Sequence, residues 1–115
     1  MYTGKNVRIP KHTKQVLQEI STVRGTARAL RDVMHRYVES KETVFAMVTR
    51  TLQRRMVSSP QPEGELILTN FSCDPNDCTK FSEMADLFGF SFDALFRMAL
   101  EDYLINHDHG ESLPS

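Results

Sequence analysis

The chain has 115 residues, 40% hydrophobic and 25% charged, a composition that suits one compact domain with a buried core and excludes a disordered or low-complexity protein. No window approaches the roughly eighteen consecutive apolar residues of a membrane span, and the N-terminal MYTGKNVRIPKH lacks the apolar run of a secretory signal, so the expectation is a cytoplasmic protein with no membrane partner. The net charge of −1 conceals an opposition: residues 1–57 carry twelve Lys and Arg against four acids, a net of +8, whereas residues 58–115 carry two against eleven, a net of −9. The first half suits a polyanion and the second repels one, and the halves also attract each other across any shared interface.

In chain order, KNVRIP alternates, with Val7 and Ile9 on one side and Asn6 and Arg8 on the other, as a half-buried strand over 5–9 requires. Pro10 ends it and can open a helix, where its missing N–H costs nothing. That helix runs to about Arg24 with the apolar stripe Val16, Leu17, Ile20 and Val23, and Gly25 stops it. A second helix spans about Thr26 to Glu39 on Leu30, Val33, Met34, Tyr37 and Val38. A third spans about Glu42 to Val57, with Phe45, Val48, Leu52 and Met56 as its buried stripe and Arg50, Arg54 and Arg55 on the polar side. The basic segment TRTLQRRM could lie on a membrane surface, but its apolar face is more simply core.

SSPQPEG is the clearest linker in the chain. After it the order recurs. ELILTNFSC reads as a strand, Asp74 and Pro75 open a helix carrying Phe81, Met84, Leu87 and Phe88, and Gly89 stops it. Ser91 then caps a last helix with Leu95, Phe96, Ala99, Tyr103 and Leu104 inward. A shift of sixty-four residues, without gaps, places Asn6 on Asn70, Val7 on Phe71, Ile9 on Cys73, Leu17 on Phe81, Ile20 on Met84, Val23 on Leu87 and Gly25 on Gly89.

Cys73 and Cys78 are read as reduced thiols, one on a strand face and one near a helix start; a disulfide and a zinc site completed by His107 and His109 are the alternatives, and the zinc spacing matches no standard finger or ribbon. His12 and His35 have no nucleophile or carboxylate partner at a recognisable spacing, and no Gly-rich loop cradles a phosphate. The expectation is therefore no enzyme, no metal and no cofactor.

Strand, helix, glycine turn and helix within about forty-five residues, with VRIP leading into KHTKQVLQEISTVRG and GFSFDALFRMALEDYL closing the second copy, resembles the ribbon-helix-helix (Arc/Met repressor-like) family of DNA-binding proteins. The resemblance implies a mostly α fold with a short two-stranded antiparallel ribbon, here a tandem ribbon-helix-helix pseudo-dimer. Residues 1–57 form the first copy with an extra helix, 58–64 the linker, 65–108 the second copy and 109–115 a flexible tail. One departure from a simple repeat remains: Tyr37 lies twelve residues after Gly25, but Tyr103 lies fourteen after Gly89. SKETVFAMVTRTL from Ser40 also aligns with SFDALFRMALEDY from Ser91, so either the helix from Thr26 or the one from Glu42 completes the first copy.

A lone strand cannot satisfy its backbone groups, so the two strands are expected to pair within one chain. Such a ribbon fits the major groove of double-stranded DNA. Its outward set is Gly4, Asn6 and Arg8 with Leu68, Asn70 and Ser72. Arg8 matches guanine and the asparagines adenine, with Lys5 adding charge and Ser72 polar contact. The family further implies phosphate contacts where each second helix starts: Thr26, Ala27 and Arg28, or Ser40 and Lys41, in the first copy, and Ser91 and Phe92 in the second. The expected function is a transcriptional repressor or an accessory protein at a plasmid or phage DNA site, as tandem copies are similar to the accessory proteins of conjugative relaxosomes. The alternative is a protein-interaction module, antitoxin-like, whose acidic C-terminal half docks a basic partner. The expected binding unit is a monomeric pseudo-dimer or a dimer of such units.

Overall fold

A computed structural model of the chain describes residues 2–20, 25–57 and 64–110. The described elements are β1 (Thr3–Pro10), α1 (Lys11–Ile20), α2 (Thr26–Tyr37), α3 (Lys41–Val57), β2 (Leu66–Cys73), α4 (Pro75–Phe88) and α5 (Phe92–Gly110). Most of the linker and the last five residues fall outside them. The fold is mostly helical, built on one two-stranded antiparallel sheet.

The strands pair from Thr3 opposite Cys73 to Pro10 opposite Leu66. Alternation then decides the faces. Val7, Ile9, Thr69, Phe71 and Cys73 are buried beneath the helices, whereas Gly4, Asn6, Arg8, Leu68, Asn70 and Ser72 all face outward and are exposed. Phe71 stacks on Phe96 of α5 with centroids 5.4 Å apart, and Phe96 meets the edge of Phe81 of α4 at 5.6 Å. The ribbon is thereby joined to the last two helices through one aromatic cluster. Helix α1 packs on β1 and α2. Helix α2 packs on β2, α4 and α5, while α5 packs on β1, α2, α3 and α4.

Local chemistry explains where the elements begin and stop. The Asp74 carboxylate accepts a hydrogen bond from the Asn76 N–H at 2.8 Å, and Pro75 supplies the first helical position. At the other end of α4, Gly89 turns left-handed at φ 79°, and the Phe90 N–H reaches back to the Ala85 carbonyl at 2.8 Å. Gly25 adopts φ 83° before α2, a value an L side chain resists.

Three expectations need correction. Cys73 and Cys78 are joined in a disulfide, so they are neither free thiols nor zinc ligands. With Asp74 as N-cap, Cys73 precedes the cap and Cys78 is the fourth helical residue, the two positions that a hydrophobic staple brings together. Closing so short a loop constrains the unfolded chain by about 2 kcal/mol.

The second correction concerns α3. Its buried residues are Val44, Met47, Val48 and Thr51, whereas Phe45, Leu52 and Met56 are exposed. The reason is a carboxylate on another helix. Asp102 of α5 is fully buried; it accepts hydrogen bonds from Arg50 at 2.9 and 3.1 Å, from Arg54 at 3.2 Å and from the Tyr37 hydroxyl at 2.6 Å. Burial pushes the Asp102 carboxyl up, but the hydrogen bonds from Arg50 and Tyr37 and the charges of Arg50 and Arg54 outweigh it and hold it below the usual carboxylate range. Burial, and then the bond to Asp102, raises the Tyr37 hydroxyl. Turning Arg50 and Arg54 toward Asp102 rotates the Phe45 stripe away from the core. Arg55 approaches Glu101 at 3.9 Å, so three arginines of the basic half are drawn to acids of the other half.

Third, Val16 of α1 and Leu87 of α4 depart from the expected apolar stripes. Leu87 is 60% exposed and Val16 38%, while Leu17, Phe81 and Ala85 are buried and Met84 and Phe88 pack against the core. Leu87 is therefore not a core residue, and its offset partner Val23 lies outside the described residues.

Candidate nucleic-acid interface

The outward side chains form three cross-strand pairs in order along the ribbon: Gly4 with Ser72, Asn6 with Asn70, and Arg8 with Leu68. Side chains directly opposite are close neighbours on one face of an antiparallel pair. At the centre the Asn70 Nδ2 donates to the Asn6 Oδ1 at 2.9 Å. This bond ties the two amides together and leaves the Asn6 amino group as a donor and the Asn70 oxygen as an acceptor.

Arg8 is held from behind. Its N–H lies 3.4 Å from the Asp93 carboxylate, and its carbonyl accepts a hydrogen bond from Arg97 Nη1 at 3.2 Å. Asp93 and Arg97 stand one turn apart on α5 and cover the edge of β1, a device that blocks pairing with another strand. The Arg8 guanidinium makes no ion pair among the described residues. The expected set did not include Asp93 and Arg97 as supports; their i, i+4 spacing in FDALFR is the signal that carries them.

Lys5 occupies the opposite, helix-facing side of β1. Its ammonium lies 4.1 Å from the centre of the Phe92 ring, a cation–π contact at the start of α5. It therefore joins Ser91, away from Asn6 and Arg8. Ser91 caps α5, its hydroxyl accepting from the Ala94 N–H at 3.1 Å, while the N–H groups of Phe92 and Asp93 precede the first intrahelical bonds.

The two candidate helix starts in the basic half differ. At α3 the Ser40 hydroxyl already accepts the Thr43 N–H at 3.1 Å. At α2 Gly25 offers no side-chain cap, and among the described residues the N–H groups at Thr26, Ala27 and Arg28 have no acceptor, which suits an anion. Ala27 and Arg28 are exposed and Thr26 half-buried.

A separate cleft of about 230 Å³ is lined by Tyr2, Arg31, Asp32, His35, Asp74 and Asp77. His35 Nδ1 lies 2.9 Å from Asp77 Oδ2, and that hydrogen bond and charge raise the imidazole above its ordinary value. Among the described residues no cluster of His, Cys, Asp and Glu is arranged to hold a metal ion, and no helix is long and apolar enough to cross a membrane. The side chains of His107 and His109 lie outside the described set. Comparison with family models, with curated proteins and with solved structures finds no match to this chain.

Proposed function

We propose that this chain is a sequence-specific double-stranded DNA-binding protein that lays its antiparallel ribbon in the major groove, acting as a transcriptional repressor or as an accessory protein at a plasmid or phage DNA site. The observation that carries the reading is the outward face of the ribbon. Arg8, Asn6, Asn70 and Ser72 are exposed together there, on a scaffold of the width that enters a major groove. Exposed Arg28 beside the uncapped start of α2, and Lys5 with Ser91 at the start of α5, suit phosphates flanking the groove.

The packing supports a tandem ribbon-helix-helix pseudo-dimer. Helix α2 covers the strand of the second half and α5 that of the first, and α2 packs against α5, an exchange that a two-fold relation between the halves requires. A sixty-four-residue offset demands that Asn6 face Asn70 on the pseudo-axis, and these residues are partners in the ribbon. On this reading α2 completes the first copy, and α3 is the inserted helix.

The test is duplex binding as a function of salt for the wild type and Arg8→Ala, on a site selected from random duplexes. Wild-type affinity falls steeply with salt, and Arg8→Ala loses about 1–3 kcal/mol of discrimination against the wrong base while keeping most of its non-specific binding. Absence of duplex binding at low salt refutes the reading. The alternative, a module whose acidic half docks a basic partner, draws support from the net charge of −9 over residues 58–115; it predicts no duplex binding at any salt concentration.

A further inference from the structure

We infer that Leu68 is a specificity-determining residue, seating the C5-methyl group of a thymine beside the guanine taken by Arg8, so that the ribbon reads its site from one end only. The inference rests on the DNA-binding reading above. Leu68 is the only large apolar side chain among the six that face outward, and it is 56% exposed. A leucine left in water on a polar face gains by meeting an apolar group. The edges of base pairs offer one such group in the major groove, the thymine methyl.

The register makes the inference directional. Leu68 stands directly opposite Arg8, so the two side chains address neighbouring positions of the same groove segment. The far end of the ribbon carries Gly4 opposite Ser72, which offer no side chain and a short one. Packing within the chain does not enforce that smallness: a Cβ added at Gly4 would meet nothing nearer than Asn70 Nδ2 at 3.7 Å, an ordinary contact, and Gly4 is not among the glycines with positive φ. Under the sixty-four-residue offset Arg8 corresponds to Ser72, and Leu68 to Gly4. Both long side chains thus fall on one half of the face, with the Asn6–Asn70 pair at the centre and little reach beyond it. The matching DNA element has guanine and thymine on one side of its centre and tolerates substitution on the other.

The test uses the full chain and the duplex selected by the wild type. Each thymine is replaced singly by uracil, which removes the methyl group and keeps the base pairing. In parallel each guanine is replaced by 7-deazaguanine, which removes the N7 acceptor. One uracil position, within a base pair or two of the 7-deazaguanine position that reproduces the Arg8→Ala loss, weakens wild-type binding by ~3-fold or more. The same uracil costs nothing further in Leu68→Ala, whose far-ultraviolet dichroism and melting match the wild type. Equal responses of wild type and Leu68→Ala at every thymine overturn the inference, as does a selected site with equal constraint on both halves. In both cases the DNA reading survives if Arg8→Ala still loses sequence preference. Failure of the wild type to bind any duplex at low salt overturns both.

Discussion

Replacing Asp102 by Asn removes one negative charge from a fully buried position while nearly preserving volume. The structure supplies the terms of the estimate. The carboxylate takes hydrogen bonds from Arg50, Arg54 and the Tyr37 hydroxyl, and Arg50 and Arg54 are 45% and 31% exposed. Removing one partner of a buried ion pair costs about 3–5 kcal/mol when the other charge is stranded. Here both guanidiniums can turn to water, so the lower end applies, and we expect a loss of about 3 kcal/mol, or ~12 °C in melting temperature for a domain this size. Urea unfolding followed by far-ultraviolet dichroism at neutral pH measures it. Arg50→Met and Arg54→Met, each leaving Asp102 a guanidinium, cost less than Asp102→Asn.

The pH dependence provides an independent check. The folded-state pKa of Asp102 is depressed, so its contribution is present above the unfolded value of about 4 and is lost as pH falls through the folded value. Asp102→Asn lacks that acid-side loss. A cost within about 0.5 kcal/mol, as for a surface substitution, together with an unchanged acid limb, would refute the role of Asp102 in orienting α3.

Two further outcomes follow from the same geometry. His35 titrates above its ordinary value by nuclear magnetic resonance; because its folded pKa is raised, the stabilisation is complete below about 6.5 and fades as pH rises through the folded value, and Asp77→Asn returns the imidazole to its ordinary range. Met47→Ala costs about 2–5 kcal/mol as a core truncation, whereas Phe45→Ala, which loses a ring contact with Phe88 at 6.2 Å, costs about 1 kcal/mol. Chemical denaturation of both variants checks this order, and its reversal contradicts the face assigned to α3.

The ribbon was legible because its signals are local. Val7 and Ile9 against Asn6 and Arg8 announce a half-buried strand, and the prolines and glycines at 10, 25, 75 and 89 mark where elements start and stop. The orientation of α3 was not legible. Phe45, Leu52 and Met56 make as good a helical stripe as Val44, Met47 and Thr51, and hydrophobicity favours the former. The choice depends on Asp102, some fifty residues away in sequence, which draws the guanidiniums of two partly exposed arginines onto a buried carboxylate. The disulfide was half legible: Cys-x4-Cys around Asp-Pro has the spacing of a staple, but only with the helix start fixed at Pro75 does it bring the sulfurs together. Among the candidate interface residues, alternation found Asn6, Arg8, Asn70 and Ser72 on the outward face. Lys5 was separated from them by that same alternation.

Both strands of the ribbon belong to a single chain, and this has a consequence for how its surface can change. In a ribbon assembled from two identical subunits, each mutation is copied onto both strands, so improving one contact alters its symmetric counterpart as well. Here the codon for Arg8 can vary while that for Ser72 stays fixed. The two strands are therefore separate targets for mutation and selection. Their pairing is also independent of protein concentration, since dilution separates subunits and leaves segments of one chain together.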